Sequence, residues 1–224
     1  MLMRWFLLSI LGGVLLILCL NCSSKTASSH ASRVLDDQIK SSSLSYAAGD
    51  YATPVQRVIR DALEQTTYTL IYDPAYKKIA YPGGDVPLER GACTDVLIRA
   101  FRKAGIDLQK EVHEDMSLKF NEYPKKWGLS NPDTNIDHRR VPNLMKYFER
   151  KDKEIPISNG ASDYYPGDIV AWDLGGGLTH IGLVTDVKAR ESSNYLMVHN
   201  IGRGARIEDV LFSWQIIGHY RYFK

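Results

Sequence analysis

Apolar and polar positions divide the chain into three parts. Residues 5–20 are apolar except for one serine and two glycines, and Arg4 is the only charged side chain before them. The window 22–50 contains nine serines and few large apolar side chains. Beyond it, apolar positions recur at helical and strand spacing. The pattern predicts a signal peptide over 1–21, a flexible Ser-rich tether over 22–52 and a folded domain over 53–224.

Three apolar stripes in the first half of the domain predict helices. Val55, Val58 and Ile59 open a stripe over residues 54–65, where Pro54 is tolerated in the first turn. A second stripe covers residues 94–104 and ends at Gly105, and a short third one covers 142–150. The segments before the second stripe and over 113–140 are rich in turn-forming or polar residues. They are therefore expected to be irregular.

The second half of the domain changes to strand patterning. Short runs rich in Val, Ile and aromatic residues, separated by glycine or polar turns, predict strands at residues 168–173, 180–187, 195–200 and 215–222. Helices followed by meandering strands indicate an α+β domain, with N-terminal helices packed on a small antiparallel sheet. Parallel βαβ units do not fit this order.

Charge and cysteine content narrow the function classes. Lys and Arg number 28 against 26 Asp and Glu, so the near balance gives no reason to expect nucleic acid as a partner. Two of the three cysteines lie before the domain, which leaves Cys93 alone in it. No disulfide can form within the domain. A solitary thiol in an exported domain is a candidate nucleophile, although free cysteine is also a common buried apolar residue.

The chemistry around Cys93 suggests acyl transfer. The thiol opens the second predicted helix, where the helix dipole and backbone N–H groups favour a thiolate. His180, after the glycine turn 175–177, is the candidate base and is expected at the sheet edge facing that helix. Because side chains alternate along a strand, either His199 or Asn200 of the next strand faces His180, and we expect His199.

Longer sequence strings resemble known families. Cys93 opening a helix, YPGDIVAW at 165–172 and THIGLV at 179–184 are similar to the NlpC/P60 superfamily of papain-like cysteine peptidases. YPGGDVP at 81–87, NIDHRRVPN at 135–143 and GHYR at 218–221 resemble more closely the bacterial DUF1287 family, a branch of that superfamily. Thr94 and Asp95 stand where NlpC/P60 enzymes usually have Ser and Gly.

The resemblance implies a papain-like fold in which Cys93, His180 and His199 form a Cys-His-His site that hydrolyses amide bonds in peptidoglycan peptides, with no cofactor or metal. It also implies a tyrosine before the cysteine at the oxyanion hole, for which Tyr81 is chosen and Tyr72 is the alternative. Asp95 and Asn200 are further candidates for the oxyanion or substrate, although an N-cap role for Asp95 is the simpler reading. Residues 133–140 either bind a charged peptide or form a turn held by Asx and Arg hydrogen bonds.

The leader also carries a resemblance. Residues 18–24 are similar to a bacterial lipobox, which would make Cys22 the lipidated N-terminus and anchor an envelope lipoprotein to the membrane at the periplasm or cell surface. A plain secretory signal and an uncleaved anchor are the alternatives.

Three other functions fit the same residues. The first alternative is an envelope lipoprotein that binds wall peptides without catalysis. The second is an acyltransferase, and the third is a zinc hydrolase with Cys93, His180 and His199 as metal ligands.

Overall fold

The structure, a computed structural model, describes Asp37 and residues 52–223. Within residues 52–223 four α-helices alternate with loops in the first half, and their bounds are α1 (Pro54–Tyr68), α2 (Cys93–Lys103), α3 (Leu108–Lys119) and α4 (Val141–Arg150). The three predicted helices are confirmed as α1, α2 and α4. Short 3₁₀ turns lie at Phe120–Glu122, Asp137–Arg139 and Ala161–Asp163.

Helix α1 shows how local sequence sets an element. The Thr53 hydroxyl accepts the Gln56 backbone N–H, and the Gln56 side chain accepts the Thr53 N–H, which forms a capping box before Pro54. The helix buries Val58 and Ile59 against α2 and the sheet. These contacts fix the start of the domain on its core.

The strands form two sheets. A short parallel pair joins β1 (Ile71–Tyr72) to β2 (Arg90–Gly91). The main sheet is antiparallel, runs in the order β6-β5-β4-β3-β7, and contains β3 (Ile169–Asp173), β4 (Thr179–Lys188), β5 (Tyr195–Asn200), β6 (Ala205–Glu208) and β7 (Gln215–Tyr220). The predicted mixed α and β composition with an antiparallel sheet is confirmed.

Alternation along the strands gives the main sheet two buried faces. Ala171, Ile181 and Val198 belong to a large core shared with the helices. Val170, Trp172, Val184, Met197 and Leu211 form a smaller cluster on the other face. A strand residue two positions away from one of these core residues therefore lies on the same face of the sheet.

Two parts of the expected layout are wrong. Residues 113–119 lie in α3, not in an irregular segment. The apolar pattern did not predict this helix because its buried stripe is only one residue wide, Leu108, Val112 and Met116, and the residues between are mostly polar. The edge strand β6 was not expected, since it is four residues long and carries Arg and Glu between its apolar positions.

The predicted signal peptide 1–21, the tether 22–52 apart from Asp37 and residue 52, and lipidation of Cys22 lie outside the described residues. In the described part of the chain, no helix combines the length and the apolar character needed to span a membrane.

Candidate active site

Cys93 is the first residue of α2, and its sulfur lies against the start of β4. The backbone N–H groups of Ile181, of Thr94 and of Cys93 itself lie near the sulfur and lower the pKa of the thiol. The residue is 5% exposed. Burial raises the pKa of the thiol to about 12, and the nearby Asp95 carboxylate adds to the rise, while the three N–H groups lower it.

The expected resting thiolate is therefore not supported. Backbone N–H groups at the start of α2 do lower the pKa of the thiol, as the sequence predicted, but desolvation of a nearly closed site outweighs them. The thiol is neutral at rest and needs a base at the moment of attack.

The His180 backbone lies beside this sulfur. The residue directly precedes Ile181, whose N–H lies near the sulfur, so covalent geometry puts the His180 backbone beside the thiol. The imidazole is not on the helix side of the sheet, as expected, but on the opposite face, stacked on Trp172 with ring centroids 5.5 Å apart. The physical reason is alternation: Ile181 takes the helix-facing position in β4.

A hydrogen-bonded chain leads away from His180. Its Nε2 lies 2.9 Å from Nδ1 of His199, and Nε2 of His199 lies 2.9 Å from a carboxylate oxygen of Glu208 on β6. His199 pairs with Gly182 in the ladder between β4 and β5, so the two histidines are diagonal neighbours on one face. The structure thus places His199 against His180, as expected.

Glu208 determines which atoms donate and which accept in the His180–His199–Glu208 hydrogen bonds. The Glu208 carboxylate only accepts, so Nε2 of His199 carries a hydrogen. Burial holds the pKa of His199 below its usual value, which leaves its Nδ1 bare to accept from Nε2–H of His180. Burial, and secondly the His199 charge, lowers the pKa of His180 to about 3. Neutral His180 therefore keeps its Nδ1 lone pair free to act as a base.

Aromatic rings wall the two histidines. Trp214 meets both imidazoles edge-on, with centroids 5.9 Å from His180 and 6.2 Å from His199. Gly182 leaves the space for this packing, because a Cβ there would lie 3.1 Å from the Trp172 ring and from the His199 Cβ. The apolar enclosure explains why both imidazoles are neutral.

The Asp95 carboxylate is taken up by hydrogen bonds within the fold and does not face an open site. Its carboxylate accepts the Ala92 N–H at 2.6 Å and forms two 2.9 Å hydrogen bonds with the Arg139 guanidinium. The same guanidinium donates to the carbonyls of Asp73 and Ala75. Asp95 thus joins the start of α2 to the turn Asp137–Arg139.

The segment 133–140 follows the turn interpretation. Asp133 accepts the Asn135 backbone and side-chain N–H groups in an Asx turn, and Arg140 pairs with Asp137.

Asn200 and the tyrosines occupy different places. The Asn200 amide donates to the Gly91 carbonyl at 2.8 Å, and its Oδ1 has no partner in the described part of the chain.

Tyr81 packs edge-on against His113, with ring centroids 5.0 Å apart. Burial raises the pKa of Tyr81 most, and the nearby charges of Glu114 and Asp107 raise it further. By contrast, burial and then the Cys93 charge raise the pKa of Tyr72. Of these two tyrosines, Tyr72 is therefore the one whose pKa responds to Cys93.

Three participants were missed from sequence: Glu208, Trp172 and Trp214. Trp172 was visible as part of the YPGDIVAW string. Glu208 carried no signal of its own, because its role depends on an edge strand that the pattern did not reveal.

Comparison with known proteins places the chain in a family. The family described as Domain of unknown function (DUF1287) matches residues 59–222, and the chain belongs to it. The Uncharacterized protein YijF of Escherichia coli (strain K12) is 60% identical over 162 residues, which cover 72% of this chain and 78% of that protein. No solved structure matches.

Proposed function

We propose that this member of the DUF1287 family is a cell-envelope cysteine hydrolase that cleaves amide bonds in peptidoglycan peptides. The observation that carries the proposal is the contact of the Cys93 sulfur with the β4 backbone at Ile181, directly after a histidine whose free lone pair is fixed by His199 and Glu208. A thiol, a neutral base and an orienting group are the parts that nucleophilic acyl transfer needs.

The proposed reaction proceeds in two halves. The reaction requires Nδ1 of His180, whose ring lies on the other face of the sheet from the α2 core, to come within hydrogen-bond reach of the sulfur. It then takes the Cys93 proton as the sulfur attacks the amide carbonyl, and the resulting imidazolium passes that proton to the leaving amine as the C–N bond breaks. Water then attacks the thioester as His180 takes a proton from it, the C–S bond breaks to release the acid, and the imidazolium returns the proton to the sulfur to restore the thiol. Backbone N–H groups at the start of α2 are available to the oxyanion.

A relationship to the NlpC/P60 superfamily is part of the proposal. It is supported by the order of elements, with a cysteine opening a helix and two histidines on successive antiparallel strands that meet at 2.9 Å. Export by the leader 1–21 and lipidation at Cys22 would bring the domain to the cell wall, its proposed substrate.

One observation favours a second candidate, a lipoprotein that binds wall peptides without cleaving them. Cys93 and His180 are 5% and 2% exposed, so the described structure gives a substrate little access to the sulfur. The zinc alternative gains no support, since residues 52–223 contain no group of three or more His, Cys, Asp or Glu side chains arranged as metal ligands.

The deciding experiment is digestion of purified sacculi by the full chain, with mass spectrometry of released fragments. Cys93→Ala should abolish release, and His180→Ala should slow it by at least about a hundredfold because the general base is lost. Glu208→Ala should give a smaller loss, because the base remains but loses its orientation. His113→Gln is the control, because His113 lies outside the His180–His199–Glu208 hydrogen bonds, and this variant should release fragments at the wild-type rate.

Equal fragment release by wild type and Cys93→Ala would refute the cysteine mechanism. Binding of wall fragments by both proteins with no release would establish the second candidate.

A further inference from the structure

A cavity of about 290 Å³ lies at the sheet edge beside the proposed relay. Arg203, Arg206 and Glu208 line it together with Thr66 and Leu70 from the end of α1 and the residues after it. A larger cavity of about 470 Å³ along α3 contains no residue of the Cys93 site. The smaller cavity is therefore the one that bears on the proposed chemistry.

The two arginines give this cavity a positive lining. Neither guanidinium has a hydrogen-bond or ion-pair partner within residues 52–223, and both side chains are exposed. Glu208 is the only acidic residue among those lining the cavity, and one of its oxygens is engaged by His199. With two cations and one carboxylate, the lining carries a net charge of about one positive unit.

The cavity connects to the site at two points. Arg206 pairs with His199 across the β5–β6 ladder, and Glu208, two residues further, projects to the same face because side chains alternate. On the other side, Leu70 leads directly into β1, which contains Tyr72, the tyrosine whose pKa responds to Cys93. A ligand seated here would lie beside Glu208, the outer member of the His180–His199–Glu208 hydrogen-bonded chain.

Arginine matches a carboxylate with two parallel N–H bonds, and an arginine with no partner among the described residues is available for such a pair. We propose that Arg203 and Arg206 form a carboxylate-binding subsite for the peptide that Cys93 attacks. This inference rests on the proposed function and names its substrate class: peptides with a free carboxylate near the scissile amide.

The test measures binding, so that it does not depend on turnover. The full chain carrying Cys93→Ala is titrated with muropeptides released from sacculi by a glycan-cleaving enzyme. The same muropeptides with their carboxylates converted to amides form the matched ligand. We expect the acid form to bind about tenfold more tightly at low salt, with the preference shrinking as salt rises. Arg203→Gln combined with Arg206→Gln should remove the preference.

Arg190→Gln is the matched control, because Arg190 is an exposed arginine in the turn at the far end of β4 and should leave the preference intact. A preference that survives the double substitution, equal binding of both ligands, or no binding of either would overturn the subsite. Failure of the proposed function is distinguishable: wild type would release no fragments although Cys93→Ala still prefers the acid form. Hydrolysis without discrimination would instead retain the function and reject the subsite.

Discussion

Alkylation of Cys93 tests whether burial or the helix terminus controls the sulfur. Burial raises the thiol pKa from 9.0 to about 12. At pH 8 a thiol at the lower value is about one-tenth ionised, and a thiol at the higher value is ionised in about one molecule in 10⁴. Since the thiolate is the reactive form, the folded protein should react with iodoacetamide about a thousandfold more slowly than the unfolded chain.

The assay is the rate of carbamidomethylation at Cys93, followed by peptide mapping that separates it from Cys19 and Cys22. Rates are compared in buffer and in denaturing urea, and each is measured from pH 6 to pH 10. Steric closure alone lowers the rate without moving its pH dependence, whereas a raised pKa keeps the rate climbing about tenfold per pH unit over the whole range. A plateau of the folded-state rate below pH 8 would show a preformed thiolate and refute the argument from burial.

Three further predictions concern stability, each measured by urea unfolding. His180 and His138 both have pKa values lowered to about 3 by burial, so the unfolded chain binds more protons between pH 6.5 and 3. Stability should therefore fall on acidification through this window by about 1.4 kcal/mol per pH unit for each histidine, and His180→Gln should reduce the slope by that amount; an unchanged slope would contradict it. Gly182→Ala should cost about 2 kcal/mol, because its Cβ would press on buried Trp172; a neutral effect would show that the ring yields. Asp95→Asn should cost about 3–5 kcal/mol, because it leaves a buried guanidinium uncompensated; a loss under 1 kcal/mol would refute this.

Local periodicity predicted the elements that carry the proposed chemistry. The stripe that opens at Val96 gave α2 with Cys93 at its start, and alternation on successive strands gave the meeting of His180 and His199. Both inferences needed only neighbours in sequence or in an adjacent strand, where period and spacing determine which side chains share a face.

Other features depend on contacts between distant parts of the chain. Asp95 and Arg139 are 44 residues apart, and the pattern around each looks like an ordinary cap and an ordinary turn. Glu208 meets His199 only because the chain adds an edge strand to β5. The ionisation of Cys93 was mispredicted for the same reason: the helix terminus is visible in the sequence, whereas the closure of the site over the sulfur is a tertiary property.

The same burial that suppresses the thiolate shapes how the proposed site would work. A separated thiolate and imidazolium would be costly at two positions that are nearly closed to water, so proton transfer must accompany attack on the carbonyl. The positive charge that then develops on His180 is met through His199 by Glu208, whose side chain is one-third exposed. The carboxylate that contacts His199 thus lies at the outer end of the hydrogen-bonded chain. In the proposed reaction it stabilises His180 mainly when the imidazole carries the proton, which favours the transition state over the resting enzyme.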